Sequence, residues 1–270
     1  MKSVKNYTTP EGFDRTRAGV TYGELTELAY TSKTTGNTRK CYVYTPPNYD
    51  SSIVYPVMYL LHGIGGTHTE WLNGMPNEII SNLIAQGEAK SMIVVIPNIR
   101  ASYDDSVPQE GITPENIAAC DNFINDLRDD LMPFINARYP VSNKREQCAI
   151  AGLSMGGRES LFIGIKMPEI FGYIGAFSPA PGLLPMEYPN DRQHKGQLTA
   201  EEMMFPKEYK DNTFILMCSG NEEEMFNHIA AAYQNAFDDN GVKYECYITD
   251  GGHDFRTWKN GLYNFVKQIF

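Results

Sequence analysis

Two hydrophobic patterns alternate along this chain, and together they set out its elements. Residues 55–61, 92–96, 147–153, 173–177 and 214–218 are short, nearly continuous apolar runs bounded by turn residues. That is the pattern of strands buried on both faces. Residues 24–31 and 39–44, with a turn at 34–37, read as an earlier strand pair. In Lys40-Cys41-Tyr42-Val43-Tyr44 the alternation leaves one face solvated, as at the antiparallel edge of a mixed sheet. Residues 244–248 form the last predicted strand. Between these runs the period changes to that of helices. Residues 77–86 turn Ile79, Ile80, Leu83 and Ile84 inward. From Pro114 onward, Phe123, Leu127, Leu131 and Ile135 share a face, with Pro133 expected to kink the last turns. Phe226, Ile229, Ala230, Tyr233 and Phe237 mark another helix, and Phe255, Trp258, Leu262, Phe265 and Ile269 the last.

Strands alternating with helices over 270 residues imply an α/β fold: a mostly parallel central sheet with helices on both faces. The length suits one large domain over residues 1–270. Residues 1–20 read as an irregular N-terminal arm. Residues 178–210, rich in proline and polar residues with Met186, Tyr188, Met203, Met204 and Phe205 interspersed, read as a lid or substrate-binding excursion. The polar loop 98–113 at a strand end is long enough to shape a site.

Composition narrows the function classes. Apolar residues make up 42% and charged residues 21%, a globular balance. Twenty-three basic against 33 acidic residues give a formal charge of −10, which argues against nucleic acid or an anionic membrane as partner. The five cysteines, Cys41, Cys120, Cys148, Cys218 and Cys246, are odd in number and widely spaced, so neither a disulfide framework nor a zinc site is expected. No apolar run has the length of a membrane span. Residues 1–14 are polar and lack the apolar core of a signal peptide. The chain therefore reads as cytoplasmic if complete, or as secreted if a leader has been removed.

The candidate chemistry starts at Ala149-Ile150-Ala151-Gly152-Leu153-Ser154-Met155-Gly156-Gly157. A buried strand runs into Gly-x-Ser-x-Gly and then into a helix, the context of a nucleophile elbow. Small residues at 152 and 156 let the strand and helix pass close beside a strained Ser154. A second glycine-rich loop, His62-Gly63-Ile64-Gly65-Gly66, follows the strand at 55–61. It makes Ile64 N–H one candidate oxyanion donor, with Met155 N–H the other. The loop lacks the Gly-Lys-Ser/Thr of a phosphate cradle. Of the five histidines, His253 stands in a glycine-rich loop after the last strand, where the base of such a fold falls. The acid should follow the strand at 214–218. Glu222, Glu223 and Glu224 are all available, two of them readable as ordinary first-turn acids of a helix, and Glu222 is chosen as nearest the strand end. Asp250 and Asp254 are rivals by proximity to His253. This set needs no metal or organic cofactor.

Tyr59-Leu60-Leu61-His62-Gly63-Ile64-Gly65-Gly66, residues 149–157, and Gly251-Gly252-His253-Asp254-Phe255 with Trp258 closely resemble the feruloyl esterase domains of carbohydrate esterase family one, often attached to bacterial xylanases. The likeness runs in order from about Gly12 to the C-terminus. It implies an α/β-hydrolase fold, Ser154 as nucleophile, His253 as base, and release of ferulate or related hydroxycinnamates from arabinoxylan through an acyl-enzyme. Feruloylated or acetylated xylan fragments would be its partners. Where that family usually has Asp in a Gly-Thr-Asn-Asp-like turn, this chain has Ser219-Gly220-Asn221-Glu222, and Glu223 or Glu224 could take the place after a small shift. The excursion matches poorly over 179–210. A hydroxycinnamate ring needs an apolar, aromatic pocket, and Trp71, Tyr103, Phe205 and Trp258 are the candidate walls, each equally readable as core. Acetylxylan esterase is the runner-up. An intracellular thioesterase such as S-formylglutathione hydrolase, an acyltransferase and a non-catalytic carbohydrate binder are the remaining readings.

Overall fold

The computed structural model describes residues 6–185 and 194–270. Met186 and Tyr188 of the expected excursion lie outside the described residues, as do residues 1–5 of the arm. Eight strands form one sheet: β1 (Glu24–Ser32), β2 (Asn37–Thr45), β3 (Val57–Leu61), β4 (Ile93–Pro97), β5 (Cys148–Leu153), β6 (Tyr173–Phe177), β7 (Phe214–Gly220) and β8 (Glu245–Thr249). Their spatial order is β1-β2-β4-β3-β5-β6-β7-β8. β1 and β2 pair antiparallel with each other, and β2 antiparallel with β4. Every pairing from β4 to β8 is parallel. This is the mostly parallel α/β sheet with an antiparallel edge that the pattern predicted.

The continuous apolar runs follow from burial on both faces. Val57, Tyr59 and Leu61 of β3 enter one core cluster, while Met58 and Leu60 enter the other. The first cluster is covered by α2 (Pro114–Asp121), α3 (Phe123–Asp126), α4 (Met132–Arg138), α5 (Met155–Lys166) and α7 (Glu224–Asp239). The second lies under α1 (Pro76–Ala85) and α8 (Phe255–Val266). A short α6 (Lys207–Lys210) precedes β7. Between α3 and α4 the backbone widens into a π-helical turn at Leu127–Leu131. Pro133 has no N–H for the Asp129 carbonyl, and its ring would strike that carbonyl in an α-helix. The wider turn accommodates both, so the helix runs on with its apolar face inward.

The described limbs of the excursion pack as core. Leu183, Leu184, Leu198, Met203 and Phe205 are buried in the first cluster, and Leu198 N–H donates to Leu183 O at 2.7 Å. The returning limb is tied to a buried charge cluster. His194 Nδ1 and Gly196 N–H meet the Asp121 carboxylate, which also pairs with Arg158 on α5. Arg158 Nη2 lies 3.0 Å from Glu159 Oε1, yet neither oxygen of Glu159 accepts a hydrogen bond among the described residues. Burial outweighs the attraction of Arg158 and pushes the Glu159 carboxyl up to about 7.

A carboxyl raised in this way holds its proton in the folded state while the unfolded chain has released it. Its contribution to stability is therefore complete below the ordinary carboxyl range near 4.5 and is lost as pH rises through about 7. Glu159→Gln is expected to remove that dependence. Chemical denaturation at pH 5 and pH 8 should show wild type losing roughly 2–3 kcal/mol more than the variant. Parallel curves for the two proteins would contradict the assignment.

Candidate active site

Ser154 sits between β5 and α5 with φ 51° and ψ −115°, a conformation that costs a side-chain-bearing residue about 1–3 kcal/mol. Close packing leaves it no alternative. A Cβ on Gly152 would come within 2.5 Å of the Gly156 carbonyl carbon, and one on Gly156 within 2.5 Å of the Leu61 and His62 carbonyl oxygens. The helix thus starts against the end of β3, and Ser154 N–H stays in the sheet, donating to Phe177 O at 2.9 Å. Ser154 is 9% exposed.

His253 Nε2 lies 2.9 Å from Ser154 Oγ, and Nδ1 lies 2.7 Å from Glu223 Oε2. A carboxylate can only accept, so the proton resides on Nδ1, and Nε2 is free to accept from the serine hydroxyl. Glu223 Oε1 accepts from Ser178 Oγ at 2.8 Å and from Gly220 N–H at 2.7 Å. Its side chain is 1% exposed, and these donors offset the loss of water. Ser178, at the end of β6, also has a positive φ of 47°. No sequence signal marks that strain or aims its hydroxyl at the acid.

Glu222, expected to follow β7 as the acid, does not meet the imidazole; the carboxylate on Nδ1 is that of Glu223, one residue later. Asn221 N–H and Glu222 N–H pair with Thr249 O and Gly251 O, extending the β7–β8 ladder. The chain then closes a four-residue turn, Glu223 N–H donating to Gly220 O at 3.2 Å. Glu222 is carried outward, 58% exposed, to Arg256 Nη2 at 2.8 Å, while Glu223 is returned under the imidazole. Helical periodicity could not separate them: residues 222 and 223 stand seven before the buried Ile229 and Ala230. Asp250 accepts from Asn221 Nδ2, and Asp254 caps α8 by accepting from Arg256 N–H. Both are thereby held off the ring.

The glycine loop after β3 adjoins the serine, since a Cβ on Gly63 would lie 3.4 Å from Ser154 Cβ. Among the described residues, neither Ile64 N–H nor Met155 N–H has a hydrogen-bond partner. Such free amides can receive a developing oxyanion. Two side chains shape the loop. His62 Nδ1 donates to Gly63 O at 2.7 Å and its Nε2 accepts from Ile99 N–H at 2.9 Å, with burial holding the ring down at about 4 and so neutral. Glu70 Oε2 accepts from Gly63 N–H at 2.7 Å, and burial raises its carboxyl above the usual range against that bond and the nearby His253. Glu70 carries no signal in the sequence, standing seven residues beyond the glycine it holds. His68 faces Glu27, and His228 is exposed on α7.

A hydroxyl donating to an imidazole, an imidazole anchored by a carboxylate, and two open amides beside them form an acyl-transfer constellation. A family model described as "Putative esterase" matches residues 32–269. The structure also superposes on a CE1 ferulic acid esterase from Anaeromyces mucronatus solved with ferulic acid, at TM-score 0.88 and 31% identity, covering 98% of this chain and 97% of that one. The chain belongs to this esterase family. It is also 29% identical to the endo-1,4-beta-xylanase/feruloyl esterase of Xylanibacter ruminicola over 94% of its own length and 32% of that protein's. Endo-1,4-beta-xylanase Y of Acetivibrio thermocellus is 26% identical over 79% of this chain and 18% of that protein. The esterase therefore spans a third or less of the length of these two curated relatives.

Around the site, three of the four expected wall residues, Trp71, Phe205 and Trp258, are buried in the core clusters. Trp71 is fully buried, its Nε1 donating to Leu61 O at 2.8 Å. It meets Phe177 and Phe255 edge-on within the second cluster. Phe205 is buried in the first cluster. Trp71 and Phe205, at 0% and 1% exposure, present no face to a ligand. Trp258 meets the esterase's His253 edge-on at 5.1 Å. Tyr103 is 71% exposed on the 98–113 loop, whose Gly111 Cα comes within 3.8 Å of a Cβ built on Gly65. Phe226 packs partly buried against the first cluster, as the helical pattern expects, and its ring also lies flat on His253 with centroids 3.6 Å apart.

Removing the buried carboxylate should leave the imidazole with the wrong tautomer and orientation. Glu223→Ala is expected to lower kcat on the order of 10³–10⁴-fold, while Glu222→Ala should stay within about threefold of wild type, as befits an exposed pair. Steady-state kinetics on an aryl ester decide it, and the reverse ranking would restore Glu222.

Proposed function

We propose that this esterase releases ferulate or related hydroxycinnamates from arabinoxylan by serine acyl transfer, with Ser154 as nucleophile, His253 as base and Glu223 as acid. The observation that carries the reading is the hydroxyl–imidazole–carboxylate relay, in a chain that superposes over nearly its whole length on a ferulic acid esterase solved with ferulic acid. The xylanase/feruloyl esterase likeness adds feruloylated or acetylated xylan fragments as the substrate class.

In this scheme Ser154 Oγ attacks the ester carbonyl carbon while its proton passes to His253 Nε2. The carbonyl oxygen becomes an oxyanion held by Ile64 and Met155 N–H. The C–O bond to the sugar breaks, and the imidazolium returns the proton to the departing alkoxide. Water then attacks the acyl-serine, again giving a proton to Nε2, and collapse frees the carboxylic acid and restores the hydroxyl. Glu223 stays ionised and steadies the imidazolium in both halves.

Two measurements test the reading. Ser154→Ala should reduce kcat on the order of 10⁶-fold, and hydrolysis at the wild-type rate in that variant would remove the proposal. Rates on methyl ferulate should exceed those on acetylated xylan. The opposite preference would make the chain an acetylxylan esterase on the same machinery.

A further inference from the structure

Glu223 and Phe226 stand three residues apart at the start of α7, one on the N-cap and one in the first turn, and both close on one ring. Glu223 Oε2 meets Nδ1 of the imidazole at 2.7 Å. Phe226 covers a face, its centroid 3.6 Å from the imidazole centroid and the planes 14° apart. Trp258 approaches nearly perpendicular, at 87° and 5.1 Å. With Ser154 on Nε2, both ring nitrogens and one ring face are occupied.

A neutral imidazole on a phenyl face gains dispersion alone. An imidazolium gains in addition the attraction of the ring's negative face. On the acyl-transfer reading above, on which this inference rests, His253 is neutral at rest and cationic while each tetrahedral species exists. An interaction stronger in the cationic state lowers the barrier without tightening substrate binding. We propose that Phe226 is a positioning residue whose π face fixes the plane of His253 and stabilises its imidazolium. The first turn of α7 then supplies the base with both its carboxylate and its cation-binding face. Glu223 and Glu70 are the charged groups that bear on the ring.

Packing alone would make Phe226 sensitive to shape and indifferent to ring electronics. Fluorination separates the two, because it drains the ring face of negative charge while nearly preserving its outline. The full chain is prepared with 4-fluoro-, 3,5-difluoro- and 3,4,5-trifluorophenylalanine at position 226, alongside Phe226→Leu, Phe226→Trp and Ser154→Ala. On methyl ferulate, kcat is expected to fall stepwise through the fluorinated series, by about 3- to 30-fold in all, with KM within about twofold. Phe226→Leu should fall as far, and Phe226→Trp should stay within about threefold of wild type. Thermal melts confirm that each variant is folded. A flat kcat across the folded fluorinated series, with Ser154→Ala inactive, overturns the Phe226 proposal and leaves the acyl-transfer reading standing. Turnover by Ser154→Ala at the wild-type rate overturns both.

Discussion

The register of the parallel strands is the constraint on which everything else depends. Leu153 of β5 stands beside Phe177 of β6, Phe177 beside Cys218 of β7, and Cys218 beside Tyr247 of β8. The ladder does not stop where the strands do. Ser154 N–H reaches Phe177 O, Ser178 N–H reaches Cys218 O, and Asn221 N–H reaches Thr249 O. Four loops are thereby laid side by side along the carboxyl edge of the sheet, where open α/β folds place their ligands. The Ser154 hydroxyl from the first, the Ser178 hydroxyl that holds the carboxylate from the second, the Glu223 carboxylate from the third and the His253 imidazole from the fourth meet because their backbones are already hydrogen-bonded in line.

On that edge the protein holds conformations that an isolated chain would abandon. Ser154 and Ser178 both have positive φ, each costing on the order of 1–3 kcal/mol. Ser154 is held by backbone bonds at both its N–H and its carbonyl and by the contact of α5 with β3 through Gly156, and Ser178 by its N–H bond to Cys218 and its hydroxyl bond to Glu223. The same economy of contact governs the charges. Glu223 gives up water and receives three donors. Arg158, fully buried, keeps Asp121 as its partner and lies beside a Glu159 whose carboxyl burial raises to about 7. Removing one member of such a cluster strands a charge in apolar surroundings, at about 3–5 kcal/mol. The returning limb of residues 194–210 is fastened to this cluster through His194 and Gly196, so α5 has Ser154 at its N-cap and, one turn later, the Arg158 that pairs with that limb's anchor, Asp121.

Much of this was legible in the amino-acid order because it depends on local pattern. Double-sided burial requires unbroken apolar runs, so the parallel strands announce themselves, and the solvated edge shows as alternation in Lys40–Tyr44. The elbow is legible because its steric demand falls on residues 152, 154 and 156, close together in the chain. His253 is legible because it follows the last strand. What eluded the pattern depends on which way a side chain is turned. Trp71 and Phe205 are aromatic residues near glycine or polar loops, and composition cannot say whether such a ring faces a cleft or a core; here both are enclosed. Ser178 and Phe226 meet groups far off in sequence, and Glu70 meets a glycine seven residues back across a loop; nothing in their own neighbourhoods records that.

The acid draws the boundary most sharply. The sequence by itself determined that a carboxylate follows β7, that it precedes an amphipathic helix, and that three glutamates stand there. Their choice belonged to the tertiary structure, because it hinges on where the β7–β8 ladder lets go. Two further backbone bonds, to Thr249 and Gly251, hold Asn221 and Glu222 along β8's continuation before the turn closes. A chain that bends one residue later offers Glu223 to the imidazole and leaves Glu222 in water. That single residue of register is set by hydrogen bonds between segments about 28 positions apart, and no local pattern can encode it.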